Sequence, residues 1–252
     1  LRRIHPLIII RNFIRDFAEN RAIRKRYRSW LRASKAAKSD YQAEVLTRFR
    51  AKRSQAIVGH EEDYVRPVAE LIEIMSDGSG AFVDFGGSAG ESCSVLHRKF
   101  PAMSFVVIET PAMVKAAAKL RPLIAFSSEL PDRIDIFYSS GTFQYLEDPY
   151  ALWKHGLSKT TGYAFLARNT FSETEQFRVQ HSMLFNNGAG PIPEDFKDVV
   201  VRYPHRTISE RRLIDIASGA GFELVSRIVD RNGGLIQGAK GMYGSDLLFK
   251  RR

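Results

Sequence analysis

Cysteine is nearly missing from this chain: Cys93 is the only one in 252 residues. One thiol excludes an internal disulfide framework and fits a reducing compartment. Long apolar runs are missing as well. No stretch reaches the roughly 18 residues that a membrane-spanning helix needs. The short run at residues 7–10 is flanked by Arg2, Arg3 and Arg11, and a charged helical pattern with no small-residue cleavage site follows, so it does not read as a leader. The chain begins with Leu1, and a preceding segment is expected. Clustered His/Cys/Asp spacing of the metal-ligating kind is lacking, as are repeats and low-complexity tracts.

Acidic residues are scarce at one end only. Residues 1–60 hold 16 Lys/Arg against 4 Asp/Glu, and the remainder holds 22 against 24. The net charge of +10 therefore belongs to an N-terminal arm on a nearly neutral body. A neutral body argues against a catalytic domain built as a nucleic-acid groove. A basic arm suits contact with an anionic surface, such as lipid headgroups or a phosphate-bearing substrate. The 44% hydrophobic content supplies a core for one ordinary domain plus an extension.

Residues 1–58 read as a basic helical extension. Leu7, Ile10, Ile14 and Phe17 recur at helical spacing with Arg11 and Arg15 between them, and Tyr41, Val45, Leu46 and Phe49 form a second stretch. The leading expectation is that it packs on the domain or on a second subunit of a homodimer. The next is that residues 1–40 lie on a membrane, peripheral to its inner, cytoplasmic face. From residue 59 onward apolar runs alternate with helical patterns. Helices are expected over 61–75, 91–99, 111–120, 147–157 and 209–218, and strands over 81–85, 104–109, 123–126, 134–139, 163–167, 222–229 and 246–250. Pro111 sits where a first helical turn tolerates it, and Ser209 is a plausible cap. The alternation predicts an α/β fold: a doubly wound, Rossmann-like, mainly parallel seven-stranded sheet. No crossover helix separates the last two strands, so the final one should run antiparallel.

In such sheets ligands bind beyond the carboxyl ends of the strands. The turn Val83-Asp84-Phe85-Gly86-Gly87-Ser88-Ala89-Gly90 lies at one such end. Glycines there allow a close backbone approach and positive φ, and a helix starting near Gly90 would aim free N–H groups at the ligand. The spacing is not the G-x-G-x-x-G of a dinucleotide site, and Asp84 and Glu91 would repel a pyrophosphate. A carboxylate here suits a ligand carrying an ammonium group. Nineteen residues after Gly90, Glu109 closes the second strand, where an acidic side chain can accept hydrogen bonds from a ribose diol. Thr110 and Pro111 follow and would line the ribose or adenine.

The third element spans residues 126–149. Its acidic loop, Leu130-Pro131, the strand Asp135-Ile136-Phe137-Tyr138, the small residues Ser139-Ser140-Gly141 and the closing Leu146-Glu147-Asp148-Pro149 resemble the third loop and fourth strand of class I S-adenosylmethionine-dependent methyltransferases. A nearer resemblance is to a bacterial group of methyltransferase-like proteins encoded among surface-polysaccharide genes. It is carried by Asp84-Phe85-Gly86-Gly87, Val107-Ile108-Glu109-Thr110-Pro111-Ala112-Met113-Val114, Ser140-Gly141-Thr142-Phe143-Gln144-Tyr145-Leu146 and Arg168-Asn169-Thr170-Phe171, and covers roughly residues 60–250.

The resemblance implies S-adenosylmethionine as cofactor. Asp84, Gly86, Gly87 and Gly90 would surround its methionine end, Glu109 and Thr110 its ribose, Ser128 and Glu129 its adenine. Ser139, Ser140 and Gly141 would lie under the sulfonium, with Gln144 and Tyr145 near the methyl group. The acceptor is expected to be a small molecule or a glycan or lipid-linked intermediate, methylated on oxygen or nitrogen. Its binding elements should come from the long segment 168–207, where Arg168, His181 and His205 join Tyr145 as candidate catalytic groups. The alternative is a methyltransferase-like protein without catalysis that serves as a binding or scaffold partner, since a fold does not establish a function. Cys93 reads as a small buried residue on the first helix of the domain.

Overall fold

The computed structural model describes residues 23–236 and 239–252. The apolar pattern at residues 7–17 lies outside them. Among the described residues nine strands are present: β1 (Gly80–Phe85), β2 (Met103–Ile108), β3 (Ala125–Ser127), β4 (Ile134–Ser140), β5 (Thr160–Ser172), β6 (Phe177–Met183), β7 (Val200–Arg206), β8 (Phe222–Asp230) and β9 (Met242–Arg251). Seven of them form one sheet in the order β3-β2-β1-β4-β5-β9-β8. The pairs among β1–β5 are parallel, and β9 runs antiparallel to both β5 and β8. This is the expected Rossmann-like α/β sheet with its antiparallel last strand.

Period-two alternation sends neighbouring side chains to opposite faces. Val83, Phe137, Leu166 and Phe249 join a core under α6 (Pro149–Lys159) and α7 (Glu210–Gly219). Phe82, Ile136, Phe165 and Leu248 join the other, under α3 (Ala69–Met75) and α4 (Glu91–Lys99). Trp153 Nε1 donates to Leu213 O at 3.0 Å and ties α6 to α7. α5 (Pro111–Ala117) and α6 each begin with Pro just after a capping side chain. Thr110 Oγ1 accepts from Met113 N–H, and Asp148 accepts from Tyr150 and Ala151 N–H.

Two expectations need correction. The continuous helix over 61–75 is instead a single 3-10 turn, Glu61–Asp63, followed by an irregular stretch and then α3. Pro67 explains the break, because it lacks an N–H and pushes Arg66 away from helical backbone. The fifth strand, expected over 163–167, runs on through Ser172, and the rest of segment 168–207 contains an antiparallel hairpin, β6–β7, with Phe177 opposite Arg206 and Met183 opposite Val200.

The hairpin forms a separate two-stranded layer and carries the arm. α1 (Trp30–Ala37) and α2 (Glu44–Gln55) pack beside it, and Leu46 and Phe49 are buried with Leu184, Val201 and Tyr203. Arg53 donates to the Phe185 and Asn187 carbonyls at 3.1 and 2.7 Å, and Arg178 donates to Ile23 O at 3.0 Å. Hairpin and arm together make a cap over the carboxyl edge of the sheet.

Candidate active site

The glycine turn sits where β1 ends. Gly86, Ser88 and Gly90 have φ of 80°, 55° and 81°. Ser88 thus holds a left-handed conformation that costs a non-glycine residue about 1–2 kcal/mol, the sort of strain that accumulates at functional sites. Its N–H donates to Glu109 Oε1 at 3.1 Å, while Thr110 N–H donates to Oε2 at 3.0 Å. Each carboxylate oxygen of Glu109 keeps a further lone pair for a ligand hydroxyl. From behind, the buried guanidinium of Arg121 donates to Ala89 O at 2.8 Å, Ser54 Oγ at 2.8 Å and Glu61 Oε1 at 3.0 Å, fastening the turn to α2.

Three adjoining cavities run along this edge. The inner one, about 520 Å³, is bordered by Asp84, Gly87, Glu91, Tyr138, Ser140 and Arg168. The middle one, about 760 Å³, is bordered by Glu109, Thr110, Ser128 and Phe85 and by Trp30, Tyr41 and Arg50 of the cap. The outer one, about 430 Å³, is bordered by Tyr145, Asn169, Gln180, His205, Asp230 and Asp246. Gly86 borders the inner and middle cavities, Tyr145 the middle and outer, and Arg168 and Asp246 the inner and outer.

The inner end is acidic. Burial, with Glu109 and Glu91 nearby, raises the Asp84 carboxyl to about 7. Burial also raises Glu91. Among the described residues no Lys or Arg forms an ion pair with Asp84; its one side-chain partner is the Cys93 thiol at 3.8 Å. A cationic group entering here would favour the ionised form of a carboxylate that burial holds back, beyond what Arg168 at the cavity's edge supplies. Cys93 is fully buried on α4, and burial holds its thiol well above the usual range, so it is not a nucleophile.

Other expected cofactor residues are placed differently. Ser139 is buried and donates to Phe85 O at 2.9 Å, tying β4 to β1. Ser140 borders the inner cavity and accepts from Arg168 Nε at 2.8 Å. Gly141, at φ 67°, turns the chain after β4. Gln144 is consumed locally, donating to Gly141 O and accepting from Thr170 N–H at 2.8 Å. Glu129 is exposed and borders none of the three cavities, whereas its neighbour Ser128 does.

Of the candidate catalytic groups, Arg168, Tyr145 and His205 meet at the outer cavity and His181 borders none of the three. Arg168 stands at a break in the β5–β9 register with φ 54°, and its N–H donates to Asp246 Oδ1 at 2.7 Å. Such bulges re-aim side chains beside sites. Burial, with Arg178 adding, pushes the His205 imidazole down to about 3, so it stays neutral and weakly basic. Burial lifts the Tyr145 phenol to about 12, and its hydroxyl donates to Gln180 Oε1 at 3.0 Å. Asn169, Asp230 and Asp246 were not anticipated as lining residues. They reach the cavity through strand pairings that no local motif announces. Among the described residues no cluster of His, Cys, Asp and Glu suited to a metal ion occurs.

No family model matches the sequence, and no curated protein matches it significantly. Solved structures do resemble it. The CcbJ methyltransferase from Streptomyces caelestis superposes with a TM-score of 0.50 at 11% identity, over 79% of this chain and 97% of that one. The chain has a methyltransferase fold. The sugar N-methyltransferase KedS8 from a Streptoalloteichus species gives 0.49 at 14% identity, over 83% and 92%. CalS10, an amino pentose methyltransferase from Micromonospora echinaspora solved with S-adenosylmethionine bound, gives 0.48 at 12%, over 77% and 91%. At these identities the likeness concerns the fold.

Proposed function

We propose that the chain is an S-adenosylmethionine-dependent methyltransferase acting on a small molecule or on a glycan or lipid-linked acceptor. The observation that carries this reading is the row of adjoining cavities along the carboxyl edge, acidic at its inner end and bordered midway by Glu109. Asp84 and Glu91 would receive the ammonium end of the cofactor, Glu109 the ribose hydroxyls, and Thr110 and Ser128 the adenine side. When bound, the cofactor supplies an electrophilic methyl group on a sulfonium, transferred in line to the acceptor. The chain's own residues then have a positioning task. Arg168, Tyr145 and His205 border the outer cavity and would orient the acceptor against the junction at Arg168 and Asp246. A glycan or lipid-linked acceptor is favoured by the resemblance to proteins encoded among polysaccharide genes.

Calorimetry with S-adenosylmethionine, S-adenosylhomocysteine and NAD tests the reading, and lack of binding of the first two at millimolar levels would overturn it. Transfer of labelled methyl groups into a metabolite or glycan extract then separates an enzyme from a binding protein that has lost catalysis. Residues 1–58 are proposed as the arm and 59–252 as the catalytic domain. Because Leu46 and Phe49 are buried against the hairpin, any membrane contact belongs to residues ahead of them. Liposome flotation with and without residues 1–40 checks this, equal recovery counting against it.

A further inference from the structure

We propose, on the methyl-transfer reading above, that Arg121 is a positioning residue that makes the grip of the glycine turn on the methyl donor depend on the docked arm. The turn needs support from outside itself. Ser88 holds φ 55° between Gly86 and Gly90, both also at positive φ. A non-glycine residue persists in that conformation only where its surroundings over-determine it. Two charged side chains supply the support. On the ligand side Glu109 accepts from Ser88 N–H at 3.1 Å. On the buried side Arg121 donates to the carbonyl of the next residue, Ala89, at 2.8 Å.

The other bonds of Arg121 lead towards the arm. Its Nη1 also donates to Ser54 Oγ at 2.8 Å, and its Nη2 to Ser54 O at 3.3 Å, both at the end of α2. Its Nε donates to Glu61 Oε1 at 3.0 Å, and Glu61 Oε2 in turn accepts from Arg98 of α4 at 3.0 Å. Arg121, Ser54, Glu61 and Ala89 are all buried, so water is not at hand to replace a lost partner. Hydrogen bonds to a charged group are strong, and a buried one left unmade is costly. When the end of α2 departs, the guanidinium loses two of its acceptors and its plane is no longer fixed. The Ala89 carbonyl then loses a fixed donor, and the strained turn loses its rear support.

The same residues act on the inner cavity. Burial raises the Glu91 carboxyl, and its own backbone N–H, Ser54, Arg121 and Arg50 oppose that rise. The arm therefore helps to keep ionised a carboxylate that borders the inner cavity. In front of the turn, Tyr41 and Arg50 of the same arm border the middle cavity. The arm is thus a wall before the turn and, through Arg121, a clamp behind it. Only a chain whose cap is in place holds the methyl donor tightly. By linkage, the bound donor steadies the end of α2 by the same factor.

Calorimetry with S-adenosylhomocysteine and amide hydrogen exchange, both on the full chain, test this. Residues 54–58 border none of the three cavities, so a merely structural Ser54 leaves the affinity alone. Ser54→Ala keeps the Ala89, Glu61 and Ser54 carbonyl or carboxylate acceptors of Arg121. It is expected to weaken S-adenosylhomocysteine roughly three- to tenfold, the scale of one hydrogen bond. Arg121→Lys, whose single ammonium cannot span the acceptors of a planar guanidinium, is expected to weaken it further. In the unaltered chain S-adenosylhomocysteine is expected to slow exchange at residues 54–58, and in both variants that slowing should shrink. Unchanged affinity in both variants, even with lowered melting temperatures, would show that Arg121 serves the fold alone and would overturn the proposal. Absence of slowing in the unaltered chain, or weaker binding with the slowing intact in the variants, would overturn it too. Should Arg121→Lys not fold, Ser54→Ala decides by the same two readouts. Lack of S-adenosylhomocysteine binding to the unaltered chain would overturn the methyl-transfer reading instead.

Discussion

Tyr41 lies flat on Tyr145, ring centroids 4.4 Å apart and planes 2° from parallel. One ring belongs to the basic arm and the other to the loop after β4, so the stack joins the cap to the sheet. Tyr203 meets both rings edge-on, and the Arg50 guanidinium lies 4.7 Å over Tyr41. Tyr41→Ala removes a pair worth about 0.5–1.5 kcal/mol beyond its buried area and opens a wall of the middle cavity. S-adenosylhomocysteine is expected to dissociate faster in stopped-flow traces, with a lower melting temperature. An unchanged dissociation rate would remove this joint from the closing of the cavity.

Glu109 is expected to hold the ribose as a charged acceptor. Its two oxygens already take backbone N–H groups of Ser88 and Thr110, which fixes the carboxylate at the rim. Glu109→Ala should weaken S-adenosylhomocysteine by roughly 1–3 kcal/mol, and Glu109→Gln, which keeps one oxygen, by less. Calorimetric affinities equal to the unaltered chain would remove the ribose role.

Much of the sheet was legible because local chemistry announces it. Thr110-Pro111 and Asp148-Pro149 read as a cap followed by proline, and each starts a helix. The glycine turn and Glu109 lie within one strand–helix–strand unit, so their order along the chain is also their order in space. Pro67 should have divided the helix read over 61–75 and was outweighed by the apolar pattern around it. The hairpin was illegible because Arg178, His181, Pro204 and His205 interrupt its alternation, and Arg178 and His205 are buried rather than exposed. The outer cavity depends on pairings between distant segments: Arg168 and Asp246 meet across 78 residues of chain. No spacing in a single sequence encodes that meeting.

Gly86 combines two constraints. Its φ is 80°, and a Cβ there would collide with the Thr142 side chain. Gly86→Ala is expected to cost more than the roughly 1–2 kcal/mol of a left-handed alanine, since Thr142 must also move. Urea unfolding would register the loss, and S-adenosylhomocysteine affinity should fall with it because Gly86 borders both the inner and middle cavities. Unaltered stability and affinity would show that the turn accommodates a side chain and does not set the site.

Asp84 links the site to pH. Its ordinary carboxyl value, 3.8, is raised to about 7 in the fold. The folded chain thus binds more protons than the unfolded one between those values, and stability falls as pH rises through that window. A tenfold difference in proton affinity between the two states corresponds to about 1.4 kcal/mol. Ligand-free Asp84→Asn should therefore gain on the order of a few kcal/mol at about pH 8, the gain narrowing towards pH 5. Ligand binding runs the other way: an ammonium group favours the ionised carboxylate, so affinity for S-adenosylhomocysteine should rise through pH 7 in the unaltered chain. In Asp84→Asn that rise should be flattened and the affinity lowered. Thermal melts and calorimetry across roughly pH 5–8 check both arms. A variant that is less stable at high pH yet binds S-adenosylhomocysteine normally would show that Asp84 supports the turn through its shape rather than receiving the cationic end of the cofactor.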